Sequence, residues 1–257
     1  MTDERIVRSG PSIIVCDPSL AERDALAVFD AALWQAAGRP LDERTGRGAV
    51  RVLDRADEQW ILRHYHRGGF VSRFVEDHYV WTGLGRARSI REWRLLRRLA
   101  ALGLPVPEPI AAHVRRRGPV YRADIVTRFL PDTRPLSALI DDGTRLDETW
   151  RAIGRMVRRF HDHGVEHPDL TAHNILIDSS GQVFLVDFDN ARVRAPGAWT
   201  GAGVARLERS LRKVALETGT RFDEHGWREL LLGYRESVPE PASAAGPGRA
   251  AARQTPR

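Results

Sequence analysis

Residues 167–174 read HPDLTAHN, which places His167, Asp169, His173 and Asn174 within eight positions, directly ahead of the apolar run ILI. Thirteen residues past Asn174, a second apolar run, VFLV, ends in Asp187-Phe188-Asp189. A carboxylate at the exposed end of a buried strand is costly unless a cation compensates it, so Asp187 reads as a cation ligand. On a single tight loop, one carboxylate can meet an acceptor hydroxyl while an amide oxygen reaches the same cation; Asp169 and Asn174 have that spacing. His167 is expected to pack and hydrogen-bond beneath the loop, and Phe188 to point inward. Asp189 reads as a surface or loop-capping residue, with a second metal contact as the alternative.

Other elements must hold these groups in place. A short strand over 12–15 is followed by a helix opening at Asp17-Pro18-Ser19, with Leu20, Leu26, Phe29, Leu33 and Trp34 as its apolar stripe. Strands over 49–53 and 59–65 form a hairpin around a charged turn. A helix begins near Ser89 and carries Ile90, Trp93, Leu96 and Leu99 on one face, until Gly103 and Pro105 stop it. A second hairpin spans 109–114 and 120–129, and Pro131 and Pro135 mark a hinge. Helices then dominate, over 136–140, 146–163, 205–217 and 223–234, interrupted by the strand pair 175–177 and 183–186. From 239 onward the sequence is Pro, Ala, Gly and Arg without apolar periodicity, and a disordered tail is expected.

The chain has 257 residues, 42% of them hydrophobic, enough for one large domain or two small lobes. No apolar run is long enough to span a bilayer, and the opening MTDERIVRSG is charged where a signal peptide would be apolar, so no export is expected. The single cysteine, Cys16, excludes an internal disulfide and a cysteine-built zinc site. A formal charge of +6, with only one lysine among 40 basic residues, points to an anionic partner without choosing among nucleic acid, nucleotide, phosphorylated sugar and acidic membrane. No motif beyond charge supports nucleic acid, and nothing in the sequence identifies a protein partner.

A strand-rich first half, a hinge, and a helical second half with one polar loop beside a hairpin resemble the protein-kinase fold. The fold class expected is α+β and bilobal, with an N-terminal antiparallel sheet carrying one key helix and a mainly helical C-terminal lobe. The lobes are expected at 1–130 and 131–238, with 1–40 an added strand and helix. H-P-D-L followed by Asn174 matches the kinase catalytic loop, and Asp187-Phe188-Asp189 stands where kinases carry Asp-Phe-Gly. Gly46 and Gly48 either form an ordinary turn or bring backbone amides to ATP phosphates, as a glycine-rich loop does. Lys213 lies too far downstream to be the kinase phosphate lysine. Arg63 in ILRHY occupies that slot, with Glu92 on the amphipathic helix as its expected partner; a guanidinium can hold phosphate oxygens in a fork, and an exposed strand arginine is the alternative. Thr171 replaces the lysine that protein serine/threonine kinases carry two residues past the catalytic aspartate, which favours a small-molecule acceptor.

The stretches GRGAV, ILRHYHRGGFVSRFVEDHYVWTG, REWRLLRRLAALGLPVPEPIAA, YRADIVT, HPDLTAHNILID, VFLVDFDNARVR and VARLERSLRKV resemble bacterial kinases of 3-deoxy-D-manno-octulosonic acid (Kdo), among the kinase-like enzymes of lipopolysaccharide core synthesis. They run from about residue 46 to 214. The resemblance implies ATP- and Mg2+-dependent phosphorylation of a Kdo hydroxyl on a lipid A precursor, in the cytoplasm and peripherally on the acidic inner face of the inner membrane. It casts Asp169 as the proton acceptor, Asn174 and Asp187 as metal ligands, Arg63 as the phosphate clamp and Glu92 as its anchor. His66, Arg67, Arg73 and His78 are candidate contacts to the anionic acceptor, with Tyr79 and Trp81 as a sugar or headgroup surface. A solvated basic loop with buried aromatics is the alternative. Rival readings are a heptose kinase of the same pathway, another small-molecule phosphotransferase, or a catalytically silent kinase-like binding module.

Overall fold

The computed structural model describes residues 3–30, 38–40, 51–55, 58–66 and 78–236. Its first half is an antiparallel sheet built from β1 (Arg5–Ser9), β2 (Ser12–Cys16), β3 (Gly38–Pro40), β4 (Arg51–Arg55), β5 (Glu58–His64), β6 (Tyr79–Val80), β7 (Pro109–Arg117) and β8 (Val120–Arg128). The order across the sheet is β1-β2-β7-β8-β5-β4-β3, with β6 added against β8.

Alternation along each strand divides the sheet into two faces. Arg63 stands opposite Ile125, and Ala112, Val114, Ala123 and Ile125 pack on the same side into the main core. Trp60, Ala111 and Val126 turn to the other side and form a smaller core with Ala25 and Val28. On that outer face His64 Nδ1 and His113 Nδ1 lie 2.6 and 3.1 Å from the two carboxylate oxygens of Asp124. Burial pushes the Asp124 carboxyl upward, but these hydrogen bonds outweigh it and hold the group at about 2.

The inner face is covered by α2 (Arg88–Ala101), whose buried side is Ile90, Trp93, Leu96 and Leu99, as the 3.6-residue period predicts. Beyond the sheet come β9 (Arg134–Pro135), α3 (Leu136–Asp141), α4 (Thr149–Asp162), β10 (Val165–Glu166), β11 (Ile175–Ile177), β12 (Val183–Leu185), β13 (Arg192–Val193), α5 (Trp199–Glu217) and α6 (Glu224–Arg235). One continuous core runs from the sheet and α2 through Leu136, Phe160, Leu185 and Phe188 to Leu207 and Leu230. Helices α4 and α6 pack backbone to backbone at glycines. A Cβ on Gly154 would meet the Leu230 carbonyl oxygen at 2.0 Å, and one on Gly233 would meet that of Arg151 at 2.2 Å.

Several elements differ from the sequence expectation, among them the short strands β3, β6, β9, β10 and β13, which it lacks. The first helix, α1 (Glu22–Ala27), begins later than Asp17, because the Asp17 carboxylate accepts from the Ser19 backbone N–H and hydroxyl at 2.8 and 2.6 Å and forms a turn instead. Of the expected stripe, Leu20 and Phe29 pack partly buried against the core that includes Ala25 and Val28, while Leu26 is exposed; Leu33 and Trp34 lie outside the described residues. Strand β1 has no counterpart in the sequence expectation; it turns back on β2 through Gly10, at φ +54°. Helix α5 opens at Trp199, ahead of the expected residue 205, running through Gly201 and Gly203 despite their low helix propensity.

Candidate active site

The loop ahead of β11 and the segment after β12 are held together by backbone and imidazole. Val186 N–H donates to the Asn174 carbonyl at 3.0 Å. His167 Nε2 lies 3.1 Å from the Val186 carbonyl, an acceptor, so this nitrogen carries the proton. The imidazole meets the Phe188 ring edge-on at 4.9 Å, and burial pushes its pKa below the usual range. His167 and Phe188 thus have the supporting positions expected of them. In the loop itself, the Asn174 amide donates from Nδ2 to the Asp169 carbonyl at 2.7 Å and to its Oδ2 at 2.9 Å. That fixes the direction of the Asp169 carboxylate and assigns the nitrogen end of the amide to it. The chain then enters Asp187 at φ +68°, a left-handed conformation that Asp tolerates better than most residues.

Arg63 on β5 joins two acids from different parts of the fold. Its Nη2 bonds Glu92 Oε1 of α2, and its Nη1 bonds Asp187 Oδ1. Glu92 is 3% exposed, and both of its oxygens are used. Oε1 also accepts the Phe188 backbone N–H at 3.2 Å, and Oε2 accepts the Tyr65 hydroxyl at 2.5 Å. The guanidinium stacks over the Tyr65 ring at 4.8 Å. Burial opposes the charge on Arg63, but Glu92, Tyr65 and Asp187 together hold its protonation above the ordinary arginine range. Burial and the Glu92 carboxylate likewise keep Tyr65 protonated.

Asp189 is held by α2. Its carboxylate receives Arg88 of α2 in a fork, Nε to Oδ1 at 2.8 Å and Nη2 to Oδ2, and it also accepts from Asn190 Nδ2 at 3.2 Å. Two further α2 arginines are also paired, Arg94 with Glu4 and Arg97 with Asp17.

The remaining expected residues are more dispersed. Tyr79 is 8% exposed and its hydroxyl accepts from Arg88 Nη1 at 2.9 Å, so it belongs to the core and not to an open sugar surface. Trp81 packs against the same core, edge-on to Tyr121 at 5.8 Å, with Arg116 over its ring. His66 meets His64 edge-on at 4.8 Å. His78 borders a cavity of about 60 Å³ with Arg115, Arg117 and Arg122. Gly46, Gly48, Arg67, Arg73 and the tail over 239–257 lie outside the described residues. Sequence reading missed Tyr65 and Arg88. Strand alternation places Tyr65 on the same face as Arg63, so period two was a signal for the first; Arg88 carried none, being one of many arginines.

The donors near Asp169 suit a hard cation. Among the described residues no cluster of three or more His, Cys, Asp or Glu could hold an ion alone. An amide oxygen and a carboxylate, completed by water and phosphate oxygens, is the kind of set Mg2+ uses.

A sheet-borne arginine anchored by a helix glutamate, a D-x-x-x-x-N loop and an aspartate closing the next hairpin define a kinase-like phosphotransferase. Residues 31–234 match the lipopolysaccharide kinase (Kdo/WaaP) family, and the chain belongs to it. It is 39% identical over 218 residues to a 3-deoxy-D-manno-octulosonic acid kinase of Photobacterium profundum, covering 85% of this chain and 92% of that protein. The like-named protein of Actinobacillus succinogenes is 39% identical over 220 residues, 83% of this chain and 92% of the other; that of Vibrio cholerae serotype O1 is 37% identical over 206, 80% and 88%. Among solved structures, WaaP in complex with acyl carrier protein aligns at a TM-score of 0.51 and 19% identity, covering 77% of each chain, a likeness of fold.

Proposed function

We propose that the protein transfers the γ-phosphoryl group of ATP to a hydroxyl of Kdo on a Kdo-bearing lipid A precursor. The observation that carries this reading is the meeting of Arg63, Glu92 and Asp187 from β5, α2 and the post-β12 segment, with the loop in which Asn174 orients Asp169 tied to that segment by the Val186 N–H to Asn174 carbonyl bond. The named activity of relatives 37–39% identical over most of the chain supplies the acceptor.

In this mechanism Asp169 accepts the proton of the sugar hydroxyl as its oxygen forms the bond to phosphorus and the bond to ADP breaks. Asn174 holds the carboxylate in line. Asn174 and Asp187 are the residues that would hold Mg2+, which when bound neutralises charge on the ATP phosphates. Arg63 contributes a permanent positive charge to the same phosphates, and Glu92 and Tyr65 fix its direction. Gly46 and Gly48 belong to the ATP-binding side in this reading, and His66, Arg67, Arg73, His78 and Trp81 to the acceptor side. The nucleotide-binding lobe covers 1–130 and the catalytic lobe 131–238. No described helix is long and apolar enough to cross a membrane; we place the enzyme in the cytoplasm, held peripherally at the acidic inner-membrane surface by its cationic excess.

The test is transfer of label from radiolabelled ATP to purified acceptors. Label on Kdo–lipid A is expected, whereas label only on a heptose-bearing acceptor overturns the substrate. Asp169→Ala should lower turnover by about 10²–10⁴-fold with nucleotide binding retained; undiminished transfer removes Asp169 from its role.

A further inference from the structure

Helix α2 touches the metal-side segment at two places one turn apart. Glu92 takes Arg63 and the Phe188 N–H, and Arg88, four residues earlier, takes Asp189. Arg88 is the first residue of α2, where a cation opposes the helix dipole, and the helix has neither a side-chain N-cap nor an acidic residue in its first turn. The position is therefore unfavourable for the helix taken alone. Every guanidinium nitrogen of Arg88 is nevertheless engaged: Nε and Nη2 on Asp189, and Nη1 on the Tyr79 hydroxyl. The group also lies over the Tyr79 ring at 4.8 Å and 5.7 Å from the Tyr65 ring centre, and the Arg88 backbone N–H donates to the Tyr121 hydroxyl at 3.1 Å. The Arg88 and Asp189 side chains are only 26% and 15% exposed, so water screens the pair weakly.

We propose that Arg88 and Asp189 are positioning residues, a lock that sets α2 against residues 187–189 and thereby aligns Glu92, Arg63 and Asp187. Asp189 stands where protein kinases carry a glycine that frees the segment to turn, and the fork to Arg88 replaces that freedom with one fixed arrangement. Two attachments one turn apart define both the distance and the rotation of the segment relative to the helix; Glu92 alone defines only one point. The inference rests on the reading of Asp187 as a metal-side residue.

The experiment compares Asp189→Asn, Arg88→Gln, their double variant and Asp187→Asn by steady-state kinetics and by amide hydrogen exchange of the ligand-free protein. Each lock variant should lose about tenfold in kcat, the lower end of what a charged hydrogen bond contributes, with the acceptor KM unchanged. The double variant should be no slower than either single one. Exchange should rise over 186–190 and the first turn of α2 while α4 and α6 stay protected. Unchanged exchange and kcat in Asp189→Asn sink the lock, and so does a rise in exchange throughout the protein, which marks a general structural role. If Asp187→Asn keeps full turnover, the metal-side reading itself fails. If it abolishes turnover while the lock variants behave as wild type, only the lock fails.

Discussion

Replacing Arg63 by lysine restores the residue that protein kinases carry at this place, so reasoning from the fold class alone expects tolerance. The geometry predicts the opposite. Arg63 meets Glu92 through Nη2 and Asp187 through Nη1, two nitrogens of one rigid fork, and its plane stacks on Tyr65 at 4.8 Å. A lysine ends in one nitrogen, whose three N–H donors leave from a single point and cannot occupy both positions of Nη1 and Nη2, so one of the two contacts is lost or lengthened. Losing one charge-assisted hydrogen bond costs about 1.5–3 kcal/mol, and Asp187 at 24% exposure argues for the lower half of that range. The lost stacking adds about 0.5–1 kcal/mol. The sum of about 2–3 kcal/mol corresponds to roughly a 30- to 150-fold fall in kcat/KM. The assay is initial-rate phosphorylation of a Kdo–lipid A acceptor by wild type and Arg63→Lys, with melting curves alongside to separate catalysis from folding. A variant within threefold of wild type would show that the bridge between α2 and Asp187 is dispensable, and the argument for the arginine would collapse.

Two further outcomes follow from packing and charge. In an exposed helix Gly→Ala stabilises by up to about 1 kcal/mol, but at Gly154 the added carbon meets the Leu230 carbonyl oxygen at 2.0 Å. Forcing α4 and α6 apart should cost about 3 kcal/mol and lower Tm by roughly 6–12 °C, and an equal or higher Tm in Gly154→Ala contradicts this packing. His161 is 6% exposed, within hydrogen-bond distance of the Tyr234 hydroxyl (2.7 Å), and burial holds its pKa at about 4 against an ordinary 6.5. Between those values the unfolded chain binds a proton that the folded protein excludes, so stability is complete above about pH 6.5 and falls as pH drops toward 4. Urea titrations should show wild type losing about 2–3 kcal/mol across that window relative to His161→Gln; parallel curves would refute the linkage.

The sequence alone determined the local parts of this enzyme. The grouping of Asp169, Asn174 and Asp187 was legible because their spacing on one loop and one hairpin is a short-range property of the chain. The buried face of α2 was legible because a helix repeats every 3.6 residues whatever it packs against. The first helix was misplaced because the Asp17 side chain satisfies backbone groups in a turn, a competition that periodicity does not register. Only the tertiary structure decided which partners these groups have. Arg63 and Asp187 are 124 residues apart, and Arg88 and Asp189 are 101 apart. Periodicity says which face a side chain occupies, but not which distant segment that face will meet. In a chain whose 40 basic residues include 39 arginines, residue type could not distinguish the few that meet these acids. That selection depends on how a sheet, a helix and a hairpin pack over one core, because close packing at long range places each charge beside its partner.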